Sequence, residues 1–422
     1  MIQIQNTGMM EQSIGAEMET SKLNEEAVRK LSEAKKEPEW LLQTRLEALK
    51  QFEILQMPTF SYGLHVMAPL NINLEELQPI ETITHNKSSA VQDVIIEDLS
   101  TAASKYETIL RPLMANSEFR HKLDAFHTAF WNNGIFVYAP KRKAKEVAAQ
   151  VTLLQQRADI AAIVVVAEEN ASIAVTELLT AATATDGKSY RFEGVGIAAA
   201  AGASVKFMTL QKLGSNVTSV IARKAVAETA ATVDWVDVGI GGGITKQETI
   251  TALNGDGATS TTTGAFFGDG TQQLDITAKE IHNARNTTSN IRIKGALQGR
   301  AKAIVQSFTK ISKDAANSAG HQKSNVLLLS DTARASPIPK LEIDNYDVKA
   351  SHEASVGQLD SEKLFYMMSR GIEGKDAMRL VVEGFFDPLL KQISSEEMAE
   401  ELRQAIAERL VKNETVAAKA VV

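Results

Sequence analysis

From Ile135 to about Ala350 the chain is one short β-rich segment after another, with no clear pattern for crossover helices between them. IFVYA, IAAIVVVA, SVKFMTL, NVTSVIA, TVDWVDV, TQQLDIT, SNIRIKG and NVLLLS are rich in β-branched residues. Several alternate, as Ile291 and Ile293 do against Arg292 and Lys294. Gly, Asn, Asp and Thr punctuate them, and residues 143–157 read as a helical interruption. Closely spaced strands of this kind suit a sandwich, a barrel, or a stacked solenoid whose core grows in one dimension. No clean sequence repeat chooses among the three.

Helical patterns flank this region. Asn24 can cap a helix running through Val28 and Leu31 that breaks near Pro38. The next carries Leu42, Leu46 and Leu49 on one face and ends before Pro58. Residues 58–91 have several prolines and read as an extended connection. A second helical patch, residues 117–130, meets the turn signal Asn132-Asn133-Gly134. Near the end, Ser394 and Glu397 make a capping box before Met398, Leu402, Ile406 and Leu410, with a frayed tail from Thr415. Helices at both ends would cover the apolar core and unpaired backbone of a stacked sheet.

At 422 residues the chain exceeds one compact core. A net charge of -7 argues against a nucleic-acid surface, which needs basic clusters, and the Lys141–Lys145 run reads as a solvated turn. With no cysteine there is no disulfide, thiolate nucleophile or cysteine-held metal. The first twenty residues lack a basic and an apolar signal region, and no apolar run reaches the roughly 20 residues that span a bilayer. A cytosolic protein without a membrane partner is expected.

The densest constellation is KASHEASVGQLDSEKLFYMMSRGI, from Lys349 to Ile372. A strand carrying His352 and Glu353 ends at Gly357. A helix follows, capped by Asp360 or Ser361, with Leu364, Phe365 and Met368 as its apolar stripe. Arg370 suits the negative helix end and Gly371 the left-handed closing turn. On a strand His352 and Glu353 face opposite ways, while Ala350 shares the His352 face.

The wording of this junction resembles the SufB/SufD family of iron–sulfur cluster assembly proteins, the SufD branch more closely. EPEWLLQTRLEALKQFEILQMP (from Glu37), DAFHTAFWNNGIFVYAPK (from Asp124), HNARNTTSNIRIKGAL (from His282) and NVLLLSDTARASPIPKLEI (from Asn325) extend it. The resemblance spans about Glu37 to Leu390, though residues 143–277 match only in texture. It implies a mainly β fold: a right-handed parallel β-helix core flanked by N- and C-terminal α-helical segments. The expected division is 1–90 (helical region and linker), 91–357 (β-helix) and 358–422 (helical domain).

The resemblance further implies a non-catalytic scaffold subunit that pairs with a SufB-like homologue and docks a SufC-like ABC ATPase. A homodimer is the alternative when the chain is isolated. ATP belongs to the partner ATPase. No cofactor is expected to bind stably to the chain alone, and iron or an iron–sulfur cluster would pass transiently through the complex. His352, and more weakly Glu353, would contribute to a metal site shared with the partner, because the position of Ala350 is often cysteine in the family. Leu364, Phe365, Met368, Arg370, Phe385 and Phe386 are the candidate partner-binding residues, although aromatic groups such as Phe365, Tyr366, Phe385 and Phe386 more often pack in cores.

Weaker signals are set against these. His282 and Arg285 read as a solvated loop before a polar face of the β-helix. GIGGG at residues 239–243 lacks the Lys-Ser/Thr of a phosphate loop and reads as a turn. The remaining histidines show no metal-ligand spacing. Asp234, Asp237 and Asp275 would serve the alternative of a cytosolic β-helix carbohydrate-active enzyme, and a homodimeric structural scaffold is a third reading.

Overall fold

The computed structural model describes residues 23–58, 72–77, 86–87, 94–115, 118–141, 147–155, 158–181, 187–391 and 396–411. Among them, α1 (Glu25–Ala34) and α2 (Glu39–Ile54) come first, then a 3-10 turn at Leu74–Leu77. The short strands β1 (Asn86–Lys87) and β2 (Ile95–Asp98) precede α3 (Leu99–Lys105), α4 (Glu107–Met114) and α5 (Lys122–Phe130). An unbroken series of strands follows. It begins with β3 (Asn133–Ala139), β4 (Val147–Gln155), β5 (Ala158–Ala167), β6 (Ser172–Ala181), β7 (Ser189–Ala199) and β8 (Ser204–Lys212). It continues through β9 (Val217–Ala227), β10 (Thr232–Gly239), β11 (Ile244–Leu253), β12 (Thr259–Gly268) and β13 (Gln273–His282). It ends with β14 (Thr288–Leu297), β15 (Lys302–Ile311), β16 (Ser318–Leu328), β17 (Arg334–Ile343) and β18 (Val348–Gln358). Helices α6 (Ser361–Ser369), α7 (Gly374–Leu390) and α8 (Glu396–Val411) close the described chain.

From β3 onward the odd-numbered strands pair in parallel in one sheet and the even-numbered strands in the other. Each turn of chain therefore lays one strand in each sheet, giving a parallel β-helix of about seven turns. Ile, Val, Ala and Phe from alternate positions fill the lumen, among them Val165, Val175, Ile197, Phe207, Trp235, Ile291 and Val305. Within residues 143–157, the described part is not the expected helical interruption. Val147–Gln155 is strand β4, in register with Ile173 to Ala181 of β6. A neighbouring strand that supplies every backbone partner overrides the helix-favouring Lys and Ala of that segment.

One corner of the coil repeats faithfully. Asn170, Gly202, Ala230, Gly257, Asn286 and Asn317 all take positive φ. The N–H of each donates to a carbonyl one turn on: Ala201, Thr229, Asp256, Arg285, Ala316 and Asp347, at 2.7 to 3.0 Å. The conformation recurs while the residue type and the spacing vary, so the repeat escapes a search for identity. The GIGGG turn is a second corner. A Cβ on Gly241 would come within 2.3 Å of Leu213 O, and Gly242 has φ +84°.

The first turn is closed by antiparallel pairing of β2 with β3 and β1 with β4. α2 and α5 pack over the outer face of the odd sheet around Phe126, Phe130, Phe136, Ile160 and Phe192. The inward residues of α2 are Trp40, Leu41, Arg45, Ala48, Leu49 and Phe52, whereas Leu42 and Leu46 of the expected face are only half-buried. Arg45 explains the shift. It pairs bidentately with Glu37 at 2.8 Å, donates to the Ala129 and Trp131 carbonyls at 3.0 Å, and stacks on Trp131. A buried guanidinium with this many partners ties α2 to the end of α5.

The C-terminal helices do not cap the far end, as had been expected. They fold back over the outer face of the even sheet, burying Met208, Val236, Val238 and Phe267 against Phe386, Leu389, Leu402 and Ile406. Arg409 donates to the Phe267 and Ile240 carbonyls, and Lys212 pairs with Glu401 at 2.5 Å. Met398, Leu402, Ile406 and Leu410 form the buried face of α8 as its spacing suggests. Residues 59–71, 78–85 and 88–91 of the connection, Ser394, and the tail from Thr415 lie outside the described residues.

Candidate functional site at the last rung

β17 and β18 each end one of the two sheets, at the opposite side from β2 and β1. They differ in what they offer. In β17, Arg334 N–H donates to Ala301 O and Asp344 N–H to Ile311 O, so its even-numbered residues turn their backbone groups toward β15. Its outward positions include Pro337 and Pro339, which have no N–H to give. In β18, Asp347 O accepts from Asn317 N–H and Leu359 N–H donates to Leu328 O, so odd-numbered residues face β16. His352, Ala354 and Val356 thus point N–H and C=O outward on a strand without proline. Nearly every residue of β18 is exposed.

His352 lies beside Gln322 in the parallel register, and Ala350 beside Gly320. Gln322 is buried and donates to Thr309 Oγ1 at 2.7 Å and to Lys340 O at 3.0 Å, across the lumen. By strand alternation His352 sits over the open mouth of that lumen. Glu353 takes the opposite face, where Lys323 at 2.9 Å and Asn325 at 3.3 Å hold its carboxyl below the usual range. His321 bonds Ser351 at 2.8 Å on that outer side. The pair is therefore split between two faces, as the strand pattern requires. Among the described residues no three His, Asp or Glu side chains converge to hold one metal ion.

Beyond β18, Asp360 caps α6 by accepting from the Glu362 and Lys363 amides, both at 3.1 Å. Gly371 closes it at φ +90°. The expected stripe divides: Leu364 is buried and Met368 half-buried, but Phe365 is 69% exposed and Tyr366 58%. Arg370 lies 5.1 Å over the Tyr366 ring, so the three form one exposed aromatic and cationic patch. Phe386 is wholly buried, and Phe385 is half-buried over Lys294, whose ammonium donates to the Phe385 carbonyl. These two phenylalanines anchor α7 to the sheet.

The other candidates scatter. His282 is buried, with its ring nitrogens on Thr287 at 2.7 Å and Ser289 at 2.8 Å, and burial lowers its pKa to about 4. Arg285 is at an exposed corner with Asp256. Asp234 is on the outer face of the even sheet, where burial raises its pKa. Asp237 points into the lumen to Arg223, and Asp275 faces outward from the odd sheet to Lys246. These three carboxylates face three directions and form no single acidic groove.

Sequence reading missed a charged cluster inside the coil. Arg191 donates to Asp159, Glu177 and Glu193, and Arg223 to Glu193 and Asp237. Burial pushes Glu177 up, whereas the two arginines outweigh burial at Glu193 and bring it down. The signal was present in YRFEGVGI, where Arg191 and Glu193 share the alternation of Val195 and Ile197.

The family model for the SUF system FeS cluster assembly SufBD core domain matches residues 150–385, more than half of the chain and nearly all of the β-helix. This chain belongs to the SufBD family. The iron-sulfur cluster assembly protein SufD of Bacillus subtilis is 29% identical, the match covering 92% of this chain and 98% of that protein. SufBD family proteins of Staphylococcus haemolyticus and Staphylococcus saprophyticus are each 26% identical, over 89% of this chain and 90% of theirs. Set on the SufBD fold, the HEASVGQLD stretch is the free strand β18 and its exit into α6. No helix among the described residues is long and apolar enough to cross a membrane.

Proposed function

We propose that this chain is a non-catalytic, SufD-like scaffold subunit of an iron–sulfur assembly complex, which adds a SufB-like partner strand to the open edge of β18. The observation that carries this reading is the contrast between the two free edges: β17 is blunted by Pro337 and Pro339, while β18 presents an unbroken row of donors and acceptors. His352, at the mouth of the lumen beside that edge, would give one nitrogen to iron or a nascent cluster. The remaining donors would come from the partner, since the chain contains no cysteine. The Phe365, Tyr366 and Arg370 patch fits docking of a SufC-like ATPase, whose nucleotide-driven movement would reach β18 through the short connection into α6.

Co-expression with SufB-like and SufC-like subunits tests this. Ala354→Pro removes an outward N–H and leaves the ladder to β16 untouched, so the chain should fold but lose the SufB-like subunit. His352→Ala should leave the complex intact while bound iron falls several-fold. Undiminished pairing of the proline variant would sink the edge assignment, and normal iron loading would return His352 to a structural role.

A further inference from the structure

Gln322 leaves one polar atom unused beneath the last rung. Both hydrogens of its Nε2 are committed, to Thr309 Oγ1 at 2.7 Å and to Lys340 O at 3.0 Å. Those acceptors fix which way the amide lies, since a flipped amide would set its own oxygen against the Lys340 carbonyl. Gln322 Oε1 is buried and has no hydrogen-bond partner among the described residues. An acceptor stripped of water and left unpaired is costly, so a donor within reach is strongly favoured.

Few groups can supply one. Gln322 stands beside Ile291 of β14 on one side and His352 of β18 on the other. The nearest positions of β18 on the lumen side are Ala350, His352 and Ala354, and of these His352 alone has a polar side chain. Across the lumen, Pro337, Pro339 and Leu341 of β17 carry no polar side-chain atom. Ser307 and Ser324 bond each other at 2.9 Å. Paired strands lie about 4.8 Å apart, so an imidazole turned inward from His352 comes over the Gln322 amide. His352 is exposed and β18 ends its sheet, so no further rung hinders that turn.

We propose that Gln322 is the positioning residue for His352: its Oε1 accepts one ring N–H, which fixes the tautomer and leaves the other ring nitrogen unprotonated at the open mouth. Histidines that ligate metals generally donate their second ring N–H to such an acceptor. The proposal rests on the reading of His352 as a donor to iron, but the tautomer is measurable without iron.

The metal-free full chain, isotope-labelled in its histidine rings, tests this at about pH 8, where an ordinary imidazole is neutral. Long-range proton–nitrogen NMR correlations, with His352 assigned by its loss in His352→Ala, should show one fixed tautomer. Gln322→Met keeps the side-chain length and removes the acceptor. The His352 signals should then move to those of an averaging, solvated ring, and the iron affinity of the assembled complex should fall about tenfold. Gln322→Glu, which restores an acceptor oxygen, should recover both. Ser307→Ala, which breaks a different polar contact inside the lumen, should alter neither. An averaging tautomer in the wild type would overturn the proposal whatever becomes of the variants. So would an unchanged His352 ring in Gln322→Met, which would mean that water satisfies Oε1. Failure of Gln322→Glu to rescue would also overturn it, since only the amide N–H groups would then matter. Normal iron loading in His352→Ala would instead remove the ligand reading and leave the tautomer result standing.

Discussion

Glu280 is the least comfortable side chain in the lumen. It is fully buried; Oε1 accepts from Ser260 at 3.1 Å and Thr262 at 2.9 Å, while Oε2 has no hydrogen-bond partner. Burial outweighs these hydrogen bonds and raises its pKa to about 8. A carboxyl whose folded pKa lies above its unfolded value loses stability as pH rises from the unfolded pKa through the folded one. Glu280→Gln should therefore match the wild type near pH 5 and exceed it by on the order of 3 kcal/mol at pH 8, in urea titrations at the two pH values. An equal advantage at both would mean that ionisation is not the cause. His282 acts in the opposite direction, since its depressed pKa withdraws stability as pH falls from about 6.5 toward about 4. Alternation had placed His352 and Glu353 on separate faces correctly, because strand geometry alone decides that. Whether His282 was solvated or buried could not be read, because a histidine satisfied by Thr287 and Ser289 looks the same in a sequence as one facing water.

Among the elements, the left-handed corner explains why the β segments were legible and their stacking was not. Five of its six described positions are Asn or Gly, which take positive φ at low cost. Ala230 is the exception, at φ +54°. Ala230→Gly should stabilise the protein by about 1 kcal/mol, raising the urea midpoint without changing the slope. An unchanged or lower midpoint would mean that the alanine methyl contributes packing that offsets its backbone strain. The turns differ in length, so Thr259 meets Thr288 and Thr288 meets Ala319 at unequal separations. Alternation within a strand survives this drift, whereas a search for a fixed period does not. Pattern alone therefore suits a β-helix, a sandwich or a barrel, and the strand at Val147–Gln155, where the family resemblance is only one of texture, carries a helix-like pattern.

For the whole molecule, the position of the last helices changes what a deletion would do. Removing everything after Gly357 would strip α6 to α8 from Met208, Val236, Val238 and Phe267 and leave that apolar face of the even sheet in water. The truncated chain is expected to aggregate, visible as loss of the soluble peak in size-exclusion chromatography. A soluble, monomeric product with an unaltered β spectrum would refute the packing. Point changes at Phe365 and Tyr366 are therefore the sound probes of partner docking.

The two ends of the coil also set a valency. One ends in the short antiparallel strands β1 and β2, and at the other, among the described residues, β18 offers a long edge without proline. A body with a single sticky terminus cannot polymerise by that contact: once two such ends have met, nothing remains to recruit a third. Association through β18 alone would therefore stop at a pair, whereas filaments, the usual hazard of a naked sheet edge, need a second edge of the same kind.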